Sequence, residues 1–120
     1  MICSFDWRNI MKYGDHAFGV INADPEVLTD YSIILQAMLE ACKKNNLTSL
    51  GYMHHTFPYP GGVSVNIMLS ESHFTIHTWP EHGSATVDCF TCGENNPFDT
   101  VATFCGLINA TAEKIEVMQR

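Results

Sequence analysis

The sequence predicts an α+β fold: a two-layer α/β sandwich, in which a mostly antiparallel sheet carries two helices on one face. One observation behind this prediction is that several segments place apolar residues at every second position, as half-buried strands do. Another is that two segments place them three and four residues apart, as amphipathic helices do. The segments follow the order strand, helix, a run of strands, helix, strand, and consecutive strands pair most simply into an antiparallel sheet.

The first part of the chain is predicted to hold one strand and one long helix. The strand covers His16–Ala23. The helix is predicted to start at Asp24, whose side chain can cap it, with Pro25 in the first turn. Its apolar stripe consists of Leu28, Tyr31, Leu35, Met38 and Cys42.

The second part of the chain is predicted to hold most of the sheet. Val63–Ser70 alternates apolar and polar residues, so one side of this strand is expected to face the helices. Asn96 and Pro97 form a second helix start, in front of apolar residues at helical spacing. The other predicted strands are 47–57, 73–79, 84–91 and 113–119.

Composition narrows the class of protein. The length of 120 residues suits one domain, residues 1–120, and 46% hydrophobic with 16% charged residues is typical of a globular protein. The net charge is −7, and there are only six Lys and Arg residues. Nucleic acids and anionic membranes bind clustered basic residues, so neither is a predicted partner, and a small-molecule substrate is expected instead.

The cysteines and the N-terminus indicate a cytoplasmic protein. Five cysteines are an odd number, which does not suit a complete disulfide framework. The opening Met1–His16 lacks the basic start and the continuous apolar run of a secretory signal. No apolar stretch approaches the length that spans a bilayer. We therefore expect free thiols in a reducing compartment.

The densest polar stretch of the chain is Ser70–Gly93, which contains three histidines and two cysteines. Two hypotheses compete for it: a metal site made of histidine and cysteine, or a nucleophilic site made around a serine or cysteine. The spacing does not favour zinc, because residues four apart on a strand, such as His73 and His77, lie about 13 Å apart. Cys89 and Cys92 are three apart and would point to opposite faces. No metal site is therefore predicted.

A hairpin through this stretch would bring a serine and a cysteine together. If its turn is centred on His82, Ser72 lies opposite Cys92, and opposed residues of an antiparallel pair share a face. His77 differs from Ser72 in parity, so a regular strand would send it to the other face. Joining His77 to this pair requires a bulge, or a bend before the strand begins. From the residues alone, an active site and a set of structural groups stay equally open.

Four motifs carry a resemblance to a known family. ESHFTIHTWPE, Glu71–Glu81, and VDCFTCG, Val87–Gly93, are the most specific of them. GGVSVNIMLSES, Gly61–Ser72, and YGDH, Tyr13–His16, are similar to further segments of that family. With these motifs the chain resembles, from Gly14 on, the small bacterial and archaeal S-adenosylmethionine decarboxylase proenzymes, which use a pyruvoyl group.

The resemblance implies that the chain cuts itself between Glu71 and Ser72. In that family the serine hydroxyl attacks the preceding carbonyl and converts the amide into an ester, which then eliminates to leave a pyruvoyl group on the new N-terminus. By the same resemblance, His77 assists removal of the Ser72 α-proton, and Ser64 supports processing by hydrogen bonding near the ester. The pyruvoyl group made from Ser72 would form a Schiff base with the substrate amine and accept the electrons released by CO2 loss.

The resemblance also assigns residues to turnover and substrate binding. Cys92 corresponds to the proton donor, a role that suits a thiol because an ordinary thiol pKa of about 8.5 keeps it protonated at neutral pH. Phe57 corresponds to an aromatic residue that stacks on adenine, Glu81 to a carboxylate that binds the substrate, and Trp79 to a pocket wall. The implied product is the aminopropyl donor for spermidine, and the implied assembly is a homodimer with active sites near the subunit boundary.

Departures from the family pattern leave the substrate open. Thr56 stands where the family has a basic residue, and one additional residue separates Phe57 from Ser64. One alternative keeps the chemistry but uses a free basic amino acid, ornithine or arginine. Another is an uncleaved, inactive homologue that regulates a partner, although such a protein has no chemical need for an intact set of processing and proton-transfer residues.

Overall fold

The computed structural model of the protein describes residues 13–92 and 94–120; the opening segment considered for a secretory signal lies largely outside them. The strands of this described part are β1 Asp15–Asn22, β2 Ser49–Thr56, β3 Val63–Leu69, β4 Ser72–Trp79, β5 Ser84–Thr91 and β6 Thr111–Gln119. They form one sheet in the order β2-β3-β4-β5-β1-β6. Every neighbouring pair is antiparallel.

The helices of the described chain are α1 Pro25–Leu28, α2 Tyr31–Lys44 and α3 Pro97–Leu107. The prediction of one continuous helix from Asp24 is wrong, because the helix breaks after a single turn. Asp30 takes an extended conformation, with φ −107° and ψ 96°, and its carboxylate accepts hydrogen bonds from the N–H groups of Ser32 and Ile33. It therefore acts as a second N-cap and starts α2 anew. None of these helices is long and apolar enough to cross a membrane.

The predicted apolar stripe of the long helix is confirmed except at one residue. Tyr31 is 39% exposed, and its ring stacks on that of His54 from β2 at a centroid distance of 3.9 Å. It becomes the first residue of α2 once the helix restarts, and it packs against the edge strand β2 instead of entering the core. The stripe residues that enter the core are Leu28, Leu35, Met38 and Cys42.

The core lies between the helices and one face of the sheet. Every second residue of the central strands contributes to it, including Val65 of β3 and Phe74 and Ile76 of β4, all fully buried. The ring of Phe104 from α3 meets that of Phe74 edge to face, with centroids 5.6 Å apart. The predicted α+β architecture of two layers is therefore confirmed.

The opposite face of the sheet, here called the open face, is not covered by any helix of the described residues. It carries imidazoles, a carboxylate and large apolar side chains next to one another, and Met68 is 66% exposed on it. A surface of this mixed kind suits binding or assembly better than plain solvation. The residues of β1, β3, β4 and β5 on the open face include His16, Phe18, Ser64, Asn66, Met68, His73, Thr75, His77, Trp79, Thr86, Asp88 and Phe90.

The hairpin of β4 and β5 has a register one residue away from the predicted one. Ser72 lies opposite Thr91, not opposite Cys92, so that prediction is wrong. The cause is the turn, which consists of the four residues 80–83 closed by the pair Trp79 and Ser84, and is therefore centred between two residues. Gly83 ends the turn with a φ of 61°, a conformation that glycine adopts without strain.

Candidate active site

The bond predicted to be cut lies at the tip of the hairpin of β3 and β4. Leu69 pairs with Ser72, so that Ser70 and Glu71 form the loop between the two strands. The backbone carbonyl of Glu71 accepts a hydrogen bond of 2.9 Å from the N–H of Cys92. The Glu71 carboxylate also accepts one of 2.9 Å from the N–H of Thr48. The residue in front of the predicted cut is therefore fixed by its carbonyl and by its side chain.

Ser72 has an unusual backbone conformation. Its φ is 152°, a value that residues with a side chain rarely adopt. Such conformations cost on the order of 1–3 kcal/mol, and they persist where the surrounding structure holds the chain on both sides. The strain therefore lies on the peptide unit that the family resemblance marks for cleavage.

A cavity of about 530 Å³ opens beside this strained residue. Ser72, His73 and Thr75 of β4 line it together with Met53 of β2 and Met68 of β3. Cys92 follows the last residue of β5 and is exposed. Although Cys92 is not opposite Ser72, its N–H contact with Glu71 places it at the predicted cut, so the structure does bring these residues together.

The other predicted site residues meet at the far end of β4. Ser64 and His77 are direct cross-strand partners, and Ser64 Oγ lies 2.7 Å from His77 Nδ1. They share a cavity of about 280 Å³ with Phe57, Trp79 and Glu81. The structure thus gathers all the predicted substrate-binding residues around the Ser64–His77 pair.

Thr78 supports this second cavity, and sequence reasoning missed it. It is only 6% exposed, its hydroxyl accepts a hydrogen bond of 2.8 Å from the N–H of Val63, and it donates one of 2.7 Å to the carbonyl of Leu28. These bonds fix β3, β4 and α1 to one another beneath the cavity. The signal in the sequence was a hydroxyl at a core position of an alternating strand, which needs internal partners.

The structure keeps the two groups of site residues apart. Ser72 and His77 are five residues apart on one extended strand, which corresponds to about 16 Å. The pairing of β4 with β3 and with β5 runs without a register shift, so neither of the irregularities considered from the sequence joins them. Within one chain, His77 is out of reach of Ser72.

A further group of polar residues on the open face was not predicted as a unit. His16 Nε2 and His73 Nε2 lie 2.6 and 3.0 Å from the same carboxylate oxygen of Asp88. We call these three residues the acid–histidine cluster. Gly14, two residues before His16, lies so close to the Thr91 carbonyl that a Cβ would overlap with it, which accounts for the glycine of the YGDH motif. The sequence did contain a signal for Asp88. It lies between the core residues Val87 and Cys89 of a strand, so its own side chain is expected on the opposite face of the sheet.

The buried thiols of Cys42 and Cys89 have no role in the predicted cleavage or proton transfer. Burial, and to a lesser degree the charge of Glu71, raises the pKa of Cys42 to about 11. Burial likewise raises the pKa of Cys89 above its usual range. Both therefore stay neutral near pH 7 and act as small apolar side chains, as was predicted for Cys42.

Comparison with solved structures identifies the class of protein that has this fold. The crystal structure of the adenosylmethionine decarboxylase from Aquifex aeolicus VF5 superposes with a TM-score of 0.77 and 28% identity, covering 92% of this chain and 91% of that one. The fold is thus that of a carboxy-lyase.

The sequence relatives and the matching family model identify the family. A relative from Pyrobaculum arsenaticum is 38% identical over 87% of this chain and 83% of its own length, and one from Thermodesulfovibrio yellowstonii is 47% identical over 61% and 53%. Both are named S-adenosylmethionine decarboxylase proenzyme, and the match spans about half of the second. A family model described as S-adenosylmethionine decarboxylase matches residues 17–120. The chain belongs to the S-adenosylmethionine decarboxylase family, as predicted.

Proposed function

We propose that this protein is a pyruvoyl-dependent S-adenosylmethionine decarboxylase: a single cytoplasmic domain that cuts itself between Glu71 and Ser72 and makes the aminopropyl donor for spermidine. The observation that carries the proposal is the strained φ of Ser72 beside a carbonyl already held by a backbone donor. The unbridged cysteines among the described residues suit the proposed compartment.

The first step of processing follows from the groups around the scissile bond. The Ser72 hydroxyl adds to the Glu71 carbonyl carbon, and the Cys92 N–H faces the oxygen on which negative charge develops. The bond from this carbon to the Ser72 nitrogen then breaks, and the nitrogen takes up the proton that the hydroxyl gave up, leaving an ester and a free amine. The angle φ of Ser72 is the rotation about its N–Cα bond, measured from the Glu71 carbonyl carbon. The strain in this angle is therefore released when that carbon separates from the Ser72 nitrogen.

The second step needs a base for the Ser72 α-proton. When His77 Nδ1–H donates to Ser64 Oγ, Nε2 keeps its lone pair and is able to take a proton. Loss of the α-proton expels the Glu71 carboxylate, and addition of water with loss of ammonia leaves the pyruvoyl group at residue 72. Ser64 is therefore proposed as the residue that orients the base.

The distance between Ser72 and His77 supports a homodimer in which each active site is shared. A two-fold axis parallel to the open face and crossing β4 at right angles near Thr75 would place Ser72 of one chain over His77 of the other. Stacked sheets pack about 10 Å apart, a gap that side chains from both faces fill. Two equivalent sites would result, each with Glu71, Ser72 and Cys92 from one chain and the Ser64–His77 cavity from its partner.

In turnover the pyruvoyl group would act as the electron sink for the carbanion that CO2 loss creates. The residues of the chain would bind the substrate and return a proton. Cys92 is proposed as the proton donor, since it is exposed and lies beside the residue that becomes the pyruvoyl group. Phe57 is 51% exposed and offers a ring face to adenine, and Glu81 offers a carboxylate to ribose hydroxyls or an amine.

We expect S-adenosylmethionine to have a higher kcat/KM than ornithine or arginine, in a CO2-release assay on the processed protein. Phe57→Ala should lower kcat/KM for S-adenosylmethionine by about tenfold, because aromatic stacking contributes on the order of 0.5–1.5 kcal/mol. It should leave the slow rates with ornithine and arginine unchanged. Tyr59→Ala is the control, since Tyr59 is 98% exposed and outside the residues that line this cavity. A wide lead of ornithine or arginine would instead indicate a changed substrate.

Cys92→Ala should cleave normally but decarboxylate slowly. The variant keeps the backbone N–H that contacts the Glu71 carbonyl, so the first processing step is preserved, while the thiol proposed as the proton donor is lost. We expect kcat to fall by about 100-fold or more, the usual effect of losing a general acid. Cys105→Ala, which removes a thiol of the helix layer, is the control. Wild-type turnover with correct protonation in Cys92→Ala would exclude the assigned role.

A further inference from the structure

The acid–histidine cluster lies next to the predicted cut but has no part in the chemistry proposed above. Its members come from three adjacent strands: His16 from β1, Asp88 from β5 and His73 from β4. His16 and His73 are the cross-strand partners of Phe90, one on each side, and both reach diagonally to Asp88. The side chains of His16, His73 and Asp88 are 16%, 43% and 41% exposed. The cluster is therefore a bridge across the central strands of the open face.

The spacing of the cluster fits shared hydrogen bonds better than a preformed metal site. The donor atoms lie within 4.8 Å of one another, so a metal ion has to be considered. Ligands around a tetrahedral zinc at about 2.1 Å stand more than 3 Å apart. The His16–Asp88 separation of 2.6 Å is shorter than that and is typical of a charge-assisted hydrogen bond.

His73 connects this bridge to the scissile bond. It directly follows Ser72, and both residues line the same cavity. On the other side of the bond, Glu71 is fixed by the N–H groups of Thr48 and Cys92. The strained residue thus stands between two fixed neighbours, which is the condition under which an unusual φ persists.

We propose that Asp88, through its shared contact with His16 and His73, is a positioning residue for the first step of self-processing: it holds the chain just after the Glu71–Ser72 bond so that the Ser72 hydroxyl stays aligned with the Glu71 carbonyl. The inference rests on the proposed function, since it concerns the same cut. It assigns no proton transfer to the cluster. On the neighbouring strand β6, Glu116 lies opposite Phe18 and 3.9 Å from Lys114, and the Arg120 guanidinium lies 4.9 Å from the Phe90 ring centroid.

The test is the rate of cleavage of Asp88→Asn, a change that keeps the size of the side chain but weakens both histidine contacts. Freshly made protein is followed by intact mass, with and without hydroxylamine, which cuts an ester at Glu71 but leaves an amide intact. Cleavage is expected to be slower by about 10- to 100-fold, the usual effect of misalignment, with hydroxylamine giving no gain. The stalled species is then the uncut amide. By contrast, His77→Ala should accumulate the ester and be cut by hydroxylamine.

Controls separate positioning from folding and from charge. Glu116→Gln removes a negative charge from the neighbouring strand without touching the cluster, and it should cleave at the wild-type rate. The melting temperature of Asp88→Asn should stay close to that of the wild type. If Asp88→Asn does not fold, His16→Gln takes its place, because it removes one imidazole and leaves the His73–Asp88 contact.

Several outcomes would overturn the inference. Cleavage of the folded Asp88→Asn or His16→Gln variant at the wild-type rate is one, and rapid cutting of it by hydroxylamine is another, because the defect would then follow ester formation. Loss of wild-type cleavage in a chelator, with recovery in Zn²⁺, would point to a metal site instead. A wild-type protein that never cleaves would overturn the proposed function itself, a result distinct from these.

Discussion

Ser72→Ala is expected to remain one chain of 120 residues, whereas the wild type is expected to be cut into residues 1–71 and 72–120. The variant lacks the hydroxyl that is proposed to attack the Glu71 carbonyl, so the ester does not form. The loss of cleavage should therefore be complete. Intact-mass spectrometry measures it directly, and the 72–120 piece of the wild type should be lighter by one ammonia than a piece that begins with serine.

Ser70→Ala is the matched control for this experiment. Ser70 lies in the same two-residue loop as Glu71, but its contact with the rest of the chain is a backbone N–H bond of 2.9 Å to the Thr48 carbonyl, which alanine keeps. This variant should be cut as the wild type is. A folded wild type that stays whole after prolonged incubation would show that self-processing does not occur, and would favour the inactive homologue.

Two chains that each fail to mature alone are expected to mature together. In a dimer of Ser72→Ala with His77→Ala, one of the two shared sites combines an intact Ser72 with an intact His77 from the other chain. The His77→Ala chain should then be cut and carry the pyruvoyl group, while the Ser72→Ala chain stays whole. Co-expression with two different tags, purification over both and intact-mass spectrometry give the result.

The control for this mixture is a chain that carries both substitutions. Co-expressed with His77→Ala, it forms a dimer in which His77 is missing from both sites, so no pyruvoyl group should appear. Pyruvoyl formation in that mixture, or in His77→Ala alone, would mean that His77 is not the base. Purified mixed dimers of the two single variants that stay uncut would mean that the site is not shared between chains.

The fold could be predicted largely from local patterns. The alternation of Val63–Ser70 and the Asn96–Pro97 helix start both specify their elements, because burial on one face and capping are properties of neighbouring residues. Two details of the fold were not predicted correctly. The break at Asp30 required knowing that its carboxylate would cap from a second position, and the hairpin register depended on a turn with an even number of residues.

The sequence predicted which residues belong to the candidate site, but it did not predict their positions relative to one another. The parity of Ser72 and His77 showed that a regular strand does not join them, which left a bulge or a bend as alternatives. In the structure the two residues lie apart along β4, whose pairing has no register shift. In the proposed dimer a second chain would bring the two residues together, and a single sequence does not display that chain. The acid–histidine cluster was not predicted because His16 and Asp88 are 72 residues apart in the sequence. They come into contact only because β1 and β5 are neighbours in the sheet.

The sheet order has a consequence for a protein cut at the tip between β3 and β4. The first piece would contribute β1, β2 and β3 and the second β4, β5 and β6, with β1 inserted between β5 and β6. The pieces are interleaved, so neither comes away from an edge, and separating them means breaking three ladders at once. A cut chain that unfolds has lost the covalent link that kept its halves at high local concentration, and its refolding becomes a bimolecular search. Maturation by such a cut would therefore have one direction: the chain would fold first and be cut second, and refolding that needs one chain before the cut would depend on concentration afterwards.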